Sequence, residues 1–273
     1  MLKKQYIYIY ALVELILLLL ALGVYLLFRS EPSHESTKTW SLVTSTQEFI
    51  FPDVPTPVTF FVLTPNGDVA RHFDIVHEKA LHLIAVRQDL QWFEHIHPVF
   101  NTSTGEFSTM LAFPTDGPYR LFADFRPTES DPQVIPFDIS VGDPEKYIPE
   151  RLHDMNTVVM VDDYEVTLNI PKTIYPNTDI SYSVTIKREG KEVTDMEPYL
   201  GAKGHSVIVR EDTLDYLHIH PDSDTLSFHT SFPSYGIYRI FIEFKHRGIV
   251  HTAAFTVMTD MHDEPVSSSE HHH

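Results

Sequence analysis

Two sets of three histidines carry the chemistry this chain has to offer. In the stretch His82-Leu-Ile-Ala-Val-Arg-Gln-Asp-Leu-Gln-Trp-Phe-Glu-His95-Ile-His97-Pro98 the imidazoles fall at 82, 95 and 97. The stretch returns without a gap as His205-Ser-Val-Ile-Val-Arg-Glu-Asp-Thr-Leu-Asp-Tyr-Leu-His218-Ile-His220-Pro221. A self-match at a fixed offset marks a duplicated structural unit. Neutral imidazole ligates zinc and copper, and it takes up a proton near neutral pH.

Spacing turns this into geometry. If His82–Arg87 and Trp92–His97 are the arms of a hairpin, Arg87 pairs with Trp92 and His82 with His97. Strand residues alternate faces, so His82, Ile84 and Val86 share a face with His97, His95 and Phe93. The second copy places His205, Val207 and Val209 with His220, His218 and Tyr216 in the same way. Cross-strand neighbours stand ~4.5–5.5 Å apart at Cβ, close enough for three imidazoles to point at one ion. The expected ligands are therefore His82, His95 and His97 for one copper or zinc ion, and His205, His218 and His220 for another. His77 and His251 stand in second rank as fourth ligands. Two other readings use the same residues: a histidine network that satisfies backbone carbonyls without an ion, and a pH-sensing cluster. Ligation needs neutral imidazole, so affinity is expected to fall as pH drops through ~6.5.

The elements that would hold these side chains read as β throughout. Val58–Leu63, His82–Arg87, Trp92–His97 and Tyr119–Phe125 are short runs rich in β-branched and aromatic residues, separated by turn formers. Val166–Ile170, Ile180–Ile186, Ser206–Arg210, Ile237–Phe244 and Thr252–Val257 repeat the pattern. The expected fold class is all-β: two tandem immunoglobulin-like β-sandwich domains, residues 40–141 and 156–258. Phe113-Pro-Thr-Asp-Gly117-Pro-Tyr119-Arg-Leu-Phe-Ala-Asp-Phe125 matches Phe232-Pro-Ser-Tyr-Gly236-Ile-Tyr238-Arg-Ile-Phe-Ile-Glu-Phe244. Tyr119 and Tyr238 fit the tyrosine corner of such sandwiches. Residues 142–155 read as a charged linker and 259–273 as a disordered tail ending in His271-His272-His273.

The N-terminus is of another kind. Lys3 and Lys4 precede an apolar run from Tyr6 to Phe28 whose only charge is Glu14. As a helix this run would be roughly 34 Å long, enough to cross a ~30 Å hydrocarbon core. Residues 1–30 are therefore expected to be a transmembrane signal anchor, with a cleaved signal peptide as the alternative, and 31–39 a tether. The lysines favour a cytoplasmic N-terminus, a single pass and an extracytoplasmic bulk, at the cell surface or in the periplasm. Of the 20 Lys+Arg three lie in the first 30 residues, and of the 38 Asp+Glu one, which leaves the remainder with a net charge near −20. Such a charge repels nucleic acid and attracts cations. With no cysteine, disulfides, thiolate metal sites and thiol nucleophiles are excluded.

The motif Leu81-His82-Leu-Ile-Ala-Val-Arg through His95-Ile-His97-Pro98 resembles a family of bacterial secreted or membrane-anchored proteins with an H-[LIV]-H-P signature. The second copy, from Leu200 through His220-Pro221 to His251-Thr-Ala-Ala-Phe255, is similar to the same family. The resemblance implies a sandwich akin to the copper-binding sandwiches of the bacterial envelope. The His-x-His on a sandwich strand is also similar to that of copper–zinc superoxide dismutases. The chain departs from those in lacking cysteines and a second ligand set, so dismutase activity is not expected. No nucleophile–base pair or phosphate loop is legible, and the chain is read as a non-enzyme. The expected function is a membrane-anchored extracytoplasmic metal-binding protein for copper or zinc capture, delivery or sensing. Its partners would be the membrane, through the N-terminal helix, the metal ion and an envelope protein. The alternative is a structural or adhesive surface spacer with buried histidine networks.

Overall fold

The computed structural model describes residues 39–46, 49–221 and 225–260. The anchor expected at 1–30, nearly all of the tether at 31–39 and most of the tail lie outside the described residues. Among the described residues, no helix is long and apolar enough to cross a membrane.

The first half contains β1 (Ser41–Thr44), β2 (Thr56–Leu63), β3 (Leu81–Arg87), β4 (Phe93–Ile96), β5 (Val99–Asn101), β6 (Glu106–Leu111), β7 (Gly117–Phe125) and β8 (Gln133–Val141). They form two antiparallel sheets, β1-β2-β6-β5 and β4-β3-β7-β8. The second half contains β9 (Val158–Val161), β10 (Tyr164–Asn169), β11 (Asp179–Arg188), β12 (Lys191–Glu192), β13 (Gly204–Arg210), β14 (Tyr216–Ile219), β15 (Ser227–Ser231), β16 (Gly236–His246) and β17 (Ile249–Thr259). One sheet runs β12-β11-β10-β9, with β15 also on β11, and the other runs β14-β13-β16-β17. The only helical element among the described residues is the 3₁₀ turn Pro144–Lys146. The described residues are all-β, with four sheets in two repeated domains.

Period-two patterning builds each sandwich. Val58, Phe60 and Val62 point inward from β2, and Phe107 and Leu111 from β6. They meet Leu83 and Ala85 of β3 and Tyr119, Leu121 and Ala123 of β7. In the second half Val166, Leu168, Tyr182 and Phe228 meet Ile208, Tyr238, Ile240 and Ile242. Both tyrosines are corners: the Tyr119 hydroxyl donates to the Thr115 carbonyl at 2.9 Å, and Tyr238 to that of Ser234 at 2.9 Å. Gly117, two residues before the first corner, has φ +134°, and a Cβ there would stand 2.5 Å from the Tyr147 ring.

A half-buried strand alternates buried and open positions, yet β3 and β13 are buried at six consecutive residues each. Their second faces meet one another. Ile84, Val86 and Phe122 of the first half and Val207, Val209 and Phe241 of the second form a third apolar core. The sheets β4-β3-β7-β8 and β14-β13-β16-β17 are thus the inner pair of a four-layer stack. Contacts across this core are reciprocal. Phe93 stacks on Phe241 at 4.4 Å, and Tyr216, the counterpart of Phe93, stacks on Phe122, the counterpart of Phe241, at 4.6 Å. That is the self-complementary arrangement of a two-fold dimer, made within one chain. Residues 142–155, expected as a linker, are anchored to both halves. Leu152 is buried in the third core. The Glu150 amide donates to Asp89, and the Leu152 amide to Glu211.

Candidate metal centre

The hairpin register is the one that alternation predicts: Ile84 lies opposite His95 and Val86 opposite Phe93, while Val207 lies opposite His218 and Val209 opposite Tyr216. His97 and His220 follow directly on β4 and β14, and Pro98 and Pro221, lacking an N–H, cannot extend the ladder. One ligand atom from each of His82, His95 and His97 lies within 4.8 Å of the others, and the same holds for His205, His218 and His220. Both triads could hold a metal ion.

The outer nitrogens fix the rings. His82 Nε2–H donates to the Val76 carbonyl and His205 Nε2–H to the Tyr199 carbonyl, each at 3.0 Å. Both acceptors sit at equivalent tight turns, Val76 paired with Lys79 and Tyr199 with Ala202. The central histidine of each triad is held from the other half. His218 Nδ1 lies 2.9 Å from Asp124 on β7, and His95 Nδ1 lies 2.5 Å from Glu243 on β16. Asp124 and Glu243 occupy the same place in the repeat.

The remaining lone pairs differ between the triads. In the second, Nδ1 of His205 and Nε2 of His218 and His220 are buried without a hydrogen-bond partner. Buried polar atoms are rarely left so. Three in one place, all imidazole nitrogens, are a donor set that suits zinc or copper(II). In the first triad only His97 Nε2 is unpartnered, because His82 Nδ1 and His95 Nε2 lie 3.0 Å apart. Since His82 gives its proton to Val76, its Nδ1 is an acceptor and His95 Nε2–H donates to it. His95 Nδ1 then accepts from Glu243. Burial pushes the Glu243 carboxyl up to about 8, which makes it the donor this chain requires. Burial pushes Asp124 up as well, but the hydrogen bond and charge of His218 and the Tyr216 hydroxyl outweigh it and hold the group below the usual carboxylate range. Phe93, in the place of Tyr216, has no hydroxyl to offer Glu243.

Burial is also the main cause holding His82, His95, His97, His205 and His220 neutral. It lowers His82 to about 4, His97 to about 3, and His205 and His220 each to about 2. His95 is driven well below its ordinary value, again by burial first.

The triads, expected as one site per domain, adjoin across the third core. The ring centroids of His82 and His218 are 5.4 Å apart and those of His95 and His218 5.5 Å. These separations match those inside a triad, such as 5.3 Å for His82 and His95. A cavity of about 270 Å³ opens onto His77, His82, His218 and His220, and another of about 540 Å³ onto His95 and His97 beside Met110.

Neither second-rank histidine completes a triad. His77 stacks on His220 at 3.5 Å with the rings 17° from parallel. In-plane lone pairs of stacked rings cannot meet at one ion, so His77 does not share an ion with His220; its ring covers the second triad, and neither three-histidine group includes it. His251 lies on the opposite face of its sheet, stacked on Phe244 and bonded through Nδ1 to Asp162. His246, which reads as incidental in the sequence, is buried on that same face with Nδ1 at the Tyr164 hydroxyl. Asp124 and Glu243 are the participants that sequence reasoning passes over. Their signal is an acidic residue kept in both copies inside an otherwise apolar run, Leu121–Phe125 and Ile240–Phe244.

Fold and site define a tandem β-sandwich protein with a paired histidine cluster between its halves. The chain belongs to the family described as Domain of unknown function (DUF8832), whose model matches twice, at residues 39–143 and 158–261. No catalytic family is found, and the matched description carries no link to copper. No curated protein matches the chain. Among solved structures, Salmonella alpha-2-macroglobulin reacted with methylamine is 10% identical, with 80% of this chain and 15% of that chain covered and a TM-score of 0.27. Native Escherichia coli alpha-2-macroglobulin is 11% identical over 80% and 14%, with a TM-score of 0.27. A 1.5-MDa bacterial ice-binding adhesin is 9% identical over 81% and 64%, with a TM-score of 0.26. This chain therefore spans about a seventh of the alpha-2-macroglobulins it matches.

Proposed function

We propose that the chain is a metal-binding protein that takes up copper or zinc through His82, His95 and His97 and through His205, His218 and His220. One observation carries the reading: three buried, unpartnered imidazole nitrogens converge in the second triad, each ring fixed or packed from outside. All-imidazole sites suit both metals, and copper(II) binds such sets more tightly. The role is capture, delivery or sensing rather than catalysis. Placement outside the cytoplasm, on an N-terminal membrane anchor and beside an envelope partner, rests on the apolar run Tyr6–Phe28 and its flanking lysines. When an ion is bound, it supplies a positive charge and open coordination positions; the chain supplies neutral rings, oriented lone pairs and burial from water.

The test is a melting curve with chelator and with added zinc or copper(II), with His271, His272 and His273 replaced by alanine. An ion that binds only the folded chain raises stability by about 2.7 kcal/mol at a hundred times its dissociation constant. No shift with either metal, together with no metal on elemental analysis, sinks the reading. A second reading, a surface spacer whose histidines serve structure alone, is favoured by the His82–His95 hydrogen bond, which satisfies part of the first triad without an ion. Unchanged melting under every metal condition is its expected outcome.

A further inference from the structure

The carboxylates of the inner sheets sit on the wrong side for a self-contained site. Asp124 belongs to the first half and holds His218 of the second; Glu243 belongs to the second half and holds His95 of the first. Both contacts are made through Nδ1, which leaves Nε2 of each central histidine facing its own triad. Both carboxylates are well covered from solvent, and they occupy one position of the repeat. A carboxylate that accepts a hydrogen bond from the far N–H of a metal-bound imidazole fixes the ring's tautomer and raises its basicity; an ion on His95 Nε2 would release that nitrogen's proton, the Glu243 proton would pass to His95 Nδ1, and Glu243 would become the acceptor.

The geometry points to a crossed pair of sites, in which each metal triad is completed by a positioning residue from the opposite half. Glu243 serves His82, His95 and His97, and Asp124 serves His205, His218 and His220. The inference rests on the metal-binding reading and goes beyond it: the affinity of each half is set by a residue of the other.

The experiment is calorimetric titration of the full chain with zinc(II) and then copper(II), with the three terminal histidines replaced by alanine. In a His220→Ala chain, which reports on the first triad, Glu243→Gln is expected to weaken binding 10–100-fold. Asp124→Asn should weaken it at least tenfold less. In a His97→Ala chain, which reports on the second triad, the order reverses. Asp124→Glu and Glu243→Asp exchange the two carboxylates between equivalent positions and should restore most of the loss. Melting of each metal-free variant shows whether it folds, and the exchange variants carry the comparison if an amide variant does not. Equal losses in both backgrounds, losses confined to the carboxylate's own half, or no loss from either amide each overturn the crossed arrangement while leaving metal binding intact. A parent chain that binds neither ion overturns both.

Discussion

Phe93 and Phe241 lie face to face at 4.4 Å, one from each half, in the core that joins the two sandwiches. Offset aromatic stacking and burial of two rings make this pair a principal tie across the interface. Phe241→Ala is expected to cost about 3–5 kcal/mol, the range for a large aromatic removed from a packed core. Urea unfolding followed by near-UV circular dichroism reads this out. A loss under about 1 kcal/mol would mean that the inner sheets do not pack in solution as described.

The two triads should fill in order. The second has three unpartnered imidazole nitrogens, whereas the first must break the His82–His95 hydrogen bond before His95 Nε2 can ligate. Titration with zinc is expected to show a tighter and a weaker step. Replacing His205, His218 and His220 together by alanine should remove the tighter one. Removal of the weaker step instead contradicts the lone-pair accounting.

Acid should destabilise the metal-free fold from about pH 6.5 downward. His82 and His205 ordinarily titrate at 6.5, and burial lowers them to about 4 and about 2 in the folded chain. Between those values the unfolded chain binds protons that the folded chain refuses, so stability falls as pH falls. The slope is up to about 1.4 kcal/mol per pH unit for each such histidine. Glu243 acts oppositely: raised from 4.5 to about 8, it withdraws stability as pH rises through that window. One carboxyl against several imidazoles leaves the net loss on the acid side. Melting between pH 7 and pH 5 checks the sign. The same burial means that metal affinity, expected from ordinary histidines to fall near pH 6.5, should hold lower for as long as the chain stays folded.

Tyr238→Phe removes the corner hydrogen bond to Ser234, whose carbonyl keeps a second donor in the Thr259 hydroxyl. A loss of about 0.5–1.5 kcal/mol is expected, with the fold unchanged. Chemical denaturation measures it, and a neutral result would assign the tyrosine to packing alone.

Local pattern sufficed for the hairpins. Alternation in Leu81–Arg87 and the His-x-His-Pro ending together dictate which side chains share a face, and the corner tyrosines announce themselves through the preceding glycine. What alternation could not reveal is the partner of that face. Ile84, Val86, Val207 and Val209 read as apolar residues in search of cover, and nothing local states that each pair covers the other. The partners of the carboxylates at 124 and 243 were illegible for the same reason, since their hydrogen bonds span 94 and 148 residues of chain. The position of His77 was hidden as well, because a two-residue turn, with φ 47° at His77 and 68° at Glu78, carries its ring onto His220 of the other half. That conformation is uncommon for residues other than glycine and is not visible in composition.

The covalent join between the halves lets symmetry be broken cheaply. In an assembly of two identical chains any substitution at the seam appears on both sides. Here a hydroxyl stands at Tyr216 and none at Phe93, and an aspartate at 124 answers a glutamate at 243. Within one chain the twin pockets therefore hold different proton inventories, one open-handed and one self-occupied, while a shared seam keeps each within reach of the other.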